Sequence, residues 1–143
     1  MNLVFRELKE SDFYKNYFEL LGQLTDVEED KITFDKFAQF ISNLNENHII
    51  IVFENEGKLL ASGTLLIENK VIHGLSKVGH IEDIVVDKSA RGCGLGKIMI
   101  DYLVNIAKDN CYKVILNCKE SNKGFYEKMN FKFKEITMMN YFQ

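Results

Sequence analysis

Residues 88–103, KSARGCGLGKIMIDYL, set three glycines and their flanking bases in front of a stretch that turns apolar with helical spacing. Leu95, Ile98, Met99, Tyr102, Leu103 and Ile106 recur on one stripe, which predicts an amphipathic helix opening directly out of the glycines. Such a loop is a ready anion site, because free backbone N–H groups and the positive end of the helix dipole point outward together. Spacing excludes two familiar phosphate loops. A P-loop needs glycine where Arg91 stands and Ser or Thr where Ile98 stands. A dinucleotide fingerprint counted from Gly92 or Gly94 ends on Lys97 or Met99, and it belongs on the first strand of a βαβ unit.

The flanking chain gives the loop its setting. Leu3 to Leu8 reads as a strand, and Ser11-Asp12 caps a predicted helix with Phe13, Tyr17, Leu20, Leu21 and Leu24 on its apolar face. A second helix is predicted from Thr33 to about Asn45. His48 to Glu54 is apolar and β-branched, Asn55-Glu56-Gly57 is a hairpin signal, and Lys58 to Glu68 is the returning strand. Asn69-Lys70 reads as the next turn and Val71 to Val86 as one or two further strands. Beyond the loop helix, Lys113 to Cys118 reads as a short buried strand. Asn122 caps a short helix holding Phe125, Tyr126 and Met129. Phe131–Phe133 and Ile136–Phe142 close the chain as strands. The order β-α-α-β-β-β-α-β-α-β-β describes an α/β (α+β) fold, a mixed and mostly antiparallel central sheet flanked by helices.

Composition bounds the class. A chain of 143 residues with 46% hydrophobic and 27% charged residues fits one domain, residues 1–143, with a full core. Ile49 to Phe53 is the longest apolar run, too short for a membrane span, and the N-terminus lacks the pattern of a signal peptide. A net charge of −3 argues against nucleic acid and requires any anionic substrate to be held by a local basic pocket. Cys93, Cys111 and Cys118 are odd in number and unpaired in spacing, which favours reduced thiols and a cytoplasmic setting. His48 and His80 share no ligand spacing with each other or with the cysteines, so no metal is implied.

Arg91-Gly92-Cys93-Gly94-Leu95-Gly96 fits R/Q-x-x-G-x-G/A between a strand and a helix, and resembles the pyrophosphate loop of the GNAT superfamily of N-acetyltransferases, which bind acetyl-CoA. VGHIEDIVVD (78–87), CYKVILNC (111–118) and NKGFYEKMNF (122–131) resemble successive blocks of the glucosamine-6-phosphate N-acetyltransferase family. LTDV (24–27) and KVIH (70–73) are similar to that family's substrate-contacting segments. The likeness covers nearly the whole chain.

The resemblance implies transfer of an acetyl group from acetyl-CoA to the amine of glucosamine 6-phosphate, a step toward UDP-N-acetylglucosamine. Donor binding would fall to the backbone of Ile84, Val85 and Val86, to Arg91, Gly92, Cys93, Gly94, Leu95, Gly96 and Lys97 of the loop, and to Asn122 and Tyr126. Glu82 and Asp83 would meet the sugar or its amine, with Glu82 the better candidate to receive the proton. Adjacent strand residues point to opposite faces, so only one faces a cleft unless a β-bulge re-aims the other. Tyr126 would aim its hydroxyl at the CoA sulfur. A phenol near pKa 10 facing a thiol near 8.5 makes full proton transfer uphill by roughly 2 kcal/mol, so a hydrogen bond to the developing thiolate describes its role better.

Two positions depart from the family pattern. Asn117 stands where an aspartate is common, which fits a role through its backbone carbonyl better than one through a charged side chain. The C-terminus offers Asn140-Tyr141-Phe142 where the family commonly carries an arginine for the phosphate. Recognition of the phosphate is then expected from Lys70 and His73, with Thr25 adding a hydroxyl and Tyr112 and Lys113 nearby. The apolar segment 136–142 is β-prone, and the family forms homodimers through this region. Another small amine as acceptor, or a non-catalytic acyl-CoA-binding module, are the alternatives that acceptor profiling and a turnover assay separate.

Overall fold

A computed structural model describes residues 2–142. Five strands form one sheet in the order β1-β2-β3-β4-β5: Leu3–Glu7, His48–Asn55, Lys58–Asn69, Lys77–Val86 and Cys111–Leu116. The first three pairings are antiparallel and β4 pairs with β5 in parallel. The β2–β3 hairpin turns on Glu56 and Gly57, both at positive φ (49° and 85°), the type I′ geometry that matches strand twist. The helices are α1 (Tyr17–Leu21), α2 (Phe34–Asn43), a short α3 (Ile72–Leu75), α4 (Leu95–Lys108) and α5 (Lys123–Glu127).

The core lies on both faces of the sheet. On one, Leu95, Met99, Ile100, Leu103 and Ala107 of α4 pack against Phe53, Leu65 and Ile81. On the other, Phe18, Leu20 and Phe37 of α1 and α2 cover Ile50, Val52, Leu59 and Val85. Ile81 and Val85 are four apart on one strand, and strict alternation would set them on the same face. They face opposite layers because β4 carries a bulge. Thr64 pairs with Glu82 and Ser62 with Val85, so Asp83 and Ile84 together oppose Gly63, and Asp83 takes a φ of 52°. Gly63 itself has no room for a side chain, since a Cβ there would lie 2.7 Å from Ile84 Cδ1 and 2.9 Å from Met99 Cγ.

Beyond Ile81↔Leu116, β4 has no partner in β5. Glu82–Val86 therefore runs on with one edge unpaired.

Five expectations are corrected. Ser11-Asp12 does not cap a long first helix. Asp12 is fully buried, accepts from the Arg6 guanidinium at 2.7 and 2.9 Å and from the Lys9 N–H at 2.9 Å. Asn16 then spends its side-chain amide on the backbone of Leu59, so a 3-10 turn (Glu10–Tyr14) and the short α1 replace one helix. Val71 to Ser76 is not strand, for His73, Gly74 and Leu75 take positive φ in succession, so α3 is a left-handed, kinked turn and not a regular helix. Asn122 precedes α5 but its side chain makes no capping hydrogen bond. Residues 131–133 and 136–142 form no strand, because none of the described residues pairs with them in a ladder; Ile136, Met138 and Phe142 are 82%, 91% and 91% exposed. The fifth strand is also less buried than its apolar run suggested, with Tyr112, Lys113 and Ile115 exposed on an edge.

Candidate active site

The glycine loop leaves the end of β4 through a turn fixed by Asp87. Its carboxylate accepts from the Ser89 N–H at 3.0 Å and from the Ser89 hydroxyl. Arg91 donates its Nε–H to the Val86 carbonyl at 3.1 Å. Gly92 and Gly94 then take φ of 86° and 80°, and a Cβ built at either meets nothing within 4 Å. Left-handed backbone and open space together expose the N–H groups ahead of the 14-residue helix α4. A cavity of about 290 Å³ lies over them, lined by Val86, Arg91, Gly92, Gly94, Gly96 and Lys97 among others, with Phe125 of α5 as a wall. Lys97 pairs with Asp101 at 2.6 Å, Leu95 is buried in the core, and Cys93 is exposed on the loop. A pyrophosphate would fit this cradle through backbone N–H groups.

A second cavity, of about 480 Å³, opens between α1, α2 and the sheet. The bulge turns Asp83 into it, beside Thr64, Ser62 and Tyr17, while Thr25 and Asp26 stand on the α1–α2 connection. Glu82 is exposed and is not among its lining residues, although its ladder partner Thr64 is. The Tyr17 hydroxyl lies 3.3 Å from Ser62 Oγ. Burial pushes that phenol up to about 12, and the charge of Asp83 adds to the effect. Tyr17 therefore stays a neutral donor. Tyr17, Ser62 and Thr64 escaped the sequence reading because their place beside Asp83 depends on the shifted register of the bulge.

Tyr126 is half-buried, edge-on to Phe125 (5.0 Å between centroids) and Phe131 (5.9 Å). Burial raises its pKa, and Cys118 raises it further. The Asn117 side-chain oxygen accepts from the Thr137 hydroxyl at 2.6 Å, which ties the end of β5 to the C-terminal segment.

Lys70, His73, Tyr112 and Lys113 gather apart from these groups. His73 and Tyr112 rings lie 4.4 Å apart, and Lys113 Nζ sits 5.5 Å from the Tyr112 ring. Lys70 pairs with Glu68 at 3.0 Å, and Glu68 also meets His80 at 2.9 Å. His80 and Lys70 together hold the Glu68 carboxyl below its usual range. Lys113 is in register with Val78, so roughly 13 Å of strand separates this group from Glu82. Thr25 and Asp83 are thus brought to one cavity, and the basic group is not. Among the described residues, no helix is long and apolar enough to cross a membrane.

A splayed sheet with a phosphate-type cradle at one end of an open strand edge and a polar-floored cavity at the other is the architecture of an acyl-group transferase. The chain belongs to the acetyltransferase (GNAT) family, whose model matches residues 6–131. Within it the chain groups with proteins named glucosamine 6-phosphate N-acetyltransferase. That of Arabidopsis thaliana is 43% identical, covering 96% of this chain and 95% of its own, and that of Candida albicans is 41% identical, covering 94% and 93%. The crystal structure of glucosamine-6-phosphate N-acetyltransferase from Arabidopsis thaliana superposes with a TM-score of 0.94 at 40% identity, covering all of both chains.

Proposed function

We propose that this protein transfers the acetyl group of acetyl-CoA to the amine of glucosamine 6-phosphate, giving N-acetylglucosamine 6-phosphate and CoA on the way to UDP-N-acetylglucosamine. The observation that carries the reading is the open edge of β4. Asp83 faces the larger cavity at one end of it, and Val86 lines the loop cavity at the other. A pantetheine arm pairing with the backbone of Ile84, Val85 and Val86 would join the two. The diphosphate would then lie on the N–H groups of residues 91–97, leaving the thioester near the bulge.

In this reading the sugar amine, once neutral, attacks the thioester carbonyl. The tetrahedral oxyanion collapses, the C–S bond breaks and the electron pair leaves on sulfur. Glu82, exposed to solvent at the bulge, takes the proton lost by the amine, while Asp83 orients the amine from the cavity floor. Tyr126, kept protonated by burial, donates a hydrogen bond to the departing thiolate. Thr25 contacts the sugar, and Asn117 acts through its backbone carbonyl, its side chain being held by Thr137. Asn122 supports the donor at the start of α5.

Phosphate recognition is assigned to Lys70, His73 and Lys113, with Tyr112 holding the His73 ring. Because that group stands at the far end of β4 from Asp83, we assign the complete site to a homodimer. The exposed apolar side chains of the C-terminal segment and of Val71, Ile72 and Leu75 beside His73 support this assembly. The proposal includes a cytoplasmic setting, resting on the three cysteines.

Thiol release from acetyl-CoA by the purified chain tests the reaction. Release should require glucosamine 6-phosphate and fall sharply with unphosphorylated glucosamine, since a site built for a charged group leaves its donors unpaired without it. Equal kcat/KM for both sugars rejects the assignment.

A further inference from the structure

Gln23 closes a link that neither cavity explains. It follows α1, two residues before Thr25, and between Leu21 and Leu24, both of which line the larger cavity. Its side-chain amide uses both ends on the other side of the molecule's active region. Nε2–H donates to Asp87 Oδ1 at 2.7 Å, and Oε1 accepts the Lys88 N–H at 2.8 Å. Asp87 is 5% exposed and is itself held by the Leu60 carbonyl through its own N–H at 2.8 Å and by Ser89. The turn it governs delivers Ala90 and Arg91 into the loop cavity.

We propose that Gln23 is a positioning residue that couples the acceptor segment 21–27 to the donor loop 87–96, so that occupation of the loop orders the acceptor wall. The inference rests on the functional reading above only in taking the loop as the site of CoA. Its physical basis is the geometry of the amide. A planar group bonded at both ends to a rigid, buried carboxylate and its neighbouring backbone transmits displacement, whereas an apolar contact would slide. Segment 24–26 is exposed and lies outside the helices, held locally by the Leu24 and Thr25 N–H groups on the Leu21 carbonyl at 2.9 and 3.2 Å, and Gln23 adds the link to the loop that this local turn lacks. A ligand that stiffens one end of the link lowers the ordering cost of the other.

Hydrogen exchange on the full-length protein with CoA alone provides the test, because it needs no acceptor. In the wild type, CoA should slow exchange at amides 88–96 and also slow 21–27, by about fivefold, the lower end of typical site-to-site coupling. In Gln23→Leu the protection at 89–96 should persist, amide 88 having lost its acceptor, and that at 21–27 should vanish. Steady-state kinetics, run below the lowered melting temperature expected for a buried carboxylate that has lost a donor, should then show KM rising for acetyl-CoA and for the acceptor together. A residue serving one pocket would move one KM, and a merely structural one would lower the active fraction without moving either. If Gln23→Leu fails to fold, Gln23→Asn carries the same expectation, since its amide is one methylene too short to span both bonds. Protection of 21–27 that is absent in the wild type, or retained in the variants, overturns the proposal. A wild type that protects 21–27 with CoA yet ignores glucosamine 6-phosphate would sink the acceptor assignment and support the link.

Discussion

Tyr126 shows how much one oxygen is asked to do. Its ring packs edge-on between Phe125 and Phe131, and that packing survives the loss of the hydroxyl. Tyr126→Phe should therefore leave stability and acetyl-CoA binding nearly unchanged and lower kcat by about 100-fold, the usual cost of removing one transition-state hydrogen bond. A pre-steady-state rate equal to that of the wild type would make Tyr126 a packing residue. The tyrosine was legible from its sequence block. What the block could not supply was the answer to the question posed by Glu82 and Asp83, which of two adjacent carboxylates faces the cleft. The bulge at Asp83, with its φ of 52°, supplies it, and it lies opposite Gly63, where a Cβ would collide with Ile84 and Met99.

At the scale of elements, the loop and the first helical region behave in opposite ways. The loop reads straight from sequence, since Gly92 and Gly94 stand where the backbone takes positive φ. Gly94→Val puts a β-branched side chain at a φ of 80°, a cost of at least about 1–2 kcal/mol locally. It should raise the KM for acetyl-CoA at least about tenfold while circular dichroism stays that of the folded chain. The segment 10–21 reads poorly, because a buried ion pair cuts it. Burial alone would push Asp12 up, but hydrogen bonds from Arg6 and the Lys9 N–H outweigh it and hold the carboxyl below its usual range. A depressed native pKa contributes stability above the unfolded value of about 3.9 and loses it as pH falls through the native one. Asp12→Asn should thus cost about 2–3 kcal/mol at pH 7, and the difference from the wild type should shrink below about pH 4. Urea melts at both pH values check it; a difference that is independent of pH would remove the charge from the account.

At the scale of the molecule, the site assignment requires two copies. Asp83→Asn in one chain and a Lys70→Ala, His73→Ala pair in another should each abolish most activity. If each dimer site draws on both chains, refolding the two inactive variants together restores one intact site per mixed dimer, about a quarter of wild-type activity for random pairing. Mixtures as inactive as their parents would confine each site to one chain. Deleting residues 136–143 should abolish both dimer and turnover, by sedimentation and thiol release; a fully active monomer would refute the assembly.

The sequence by itself determined the order of the elements from β1 to α5 apart from the turn at 72–75, the glycine loop with its helix, the family and the blocks in which the carboxylates and Tyr126 stand. These are local matters, decided by periodicity, by the residues a turn demands and by short motifs. Tertiary structure alone decided which way Asp83 faces, that Thr25 lines the cavity of Asp83 while Lys70 does not, and that Gln23 reaches Asp87 across 64 positions of chain. It also decided that residues 136–142, β-prone by composition, stay unpaired: a strand is completed by its neighbour's hydrogen bonds, and the described residues offer them no neighbouring strand.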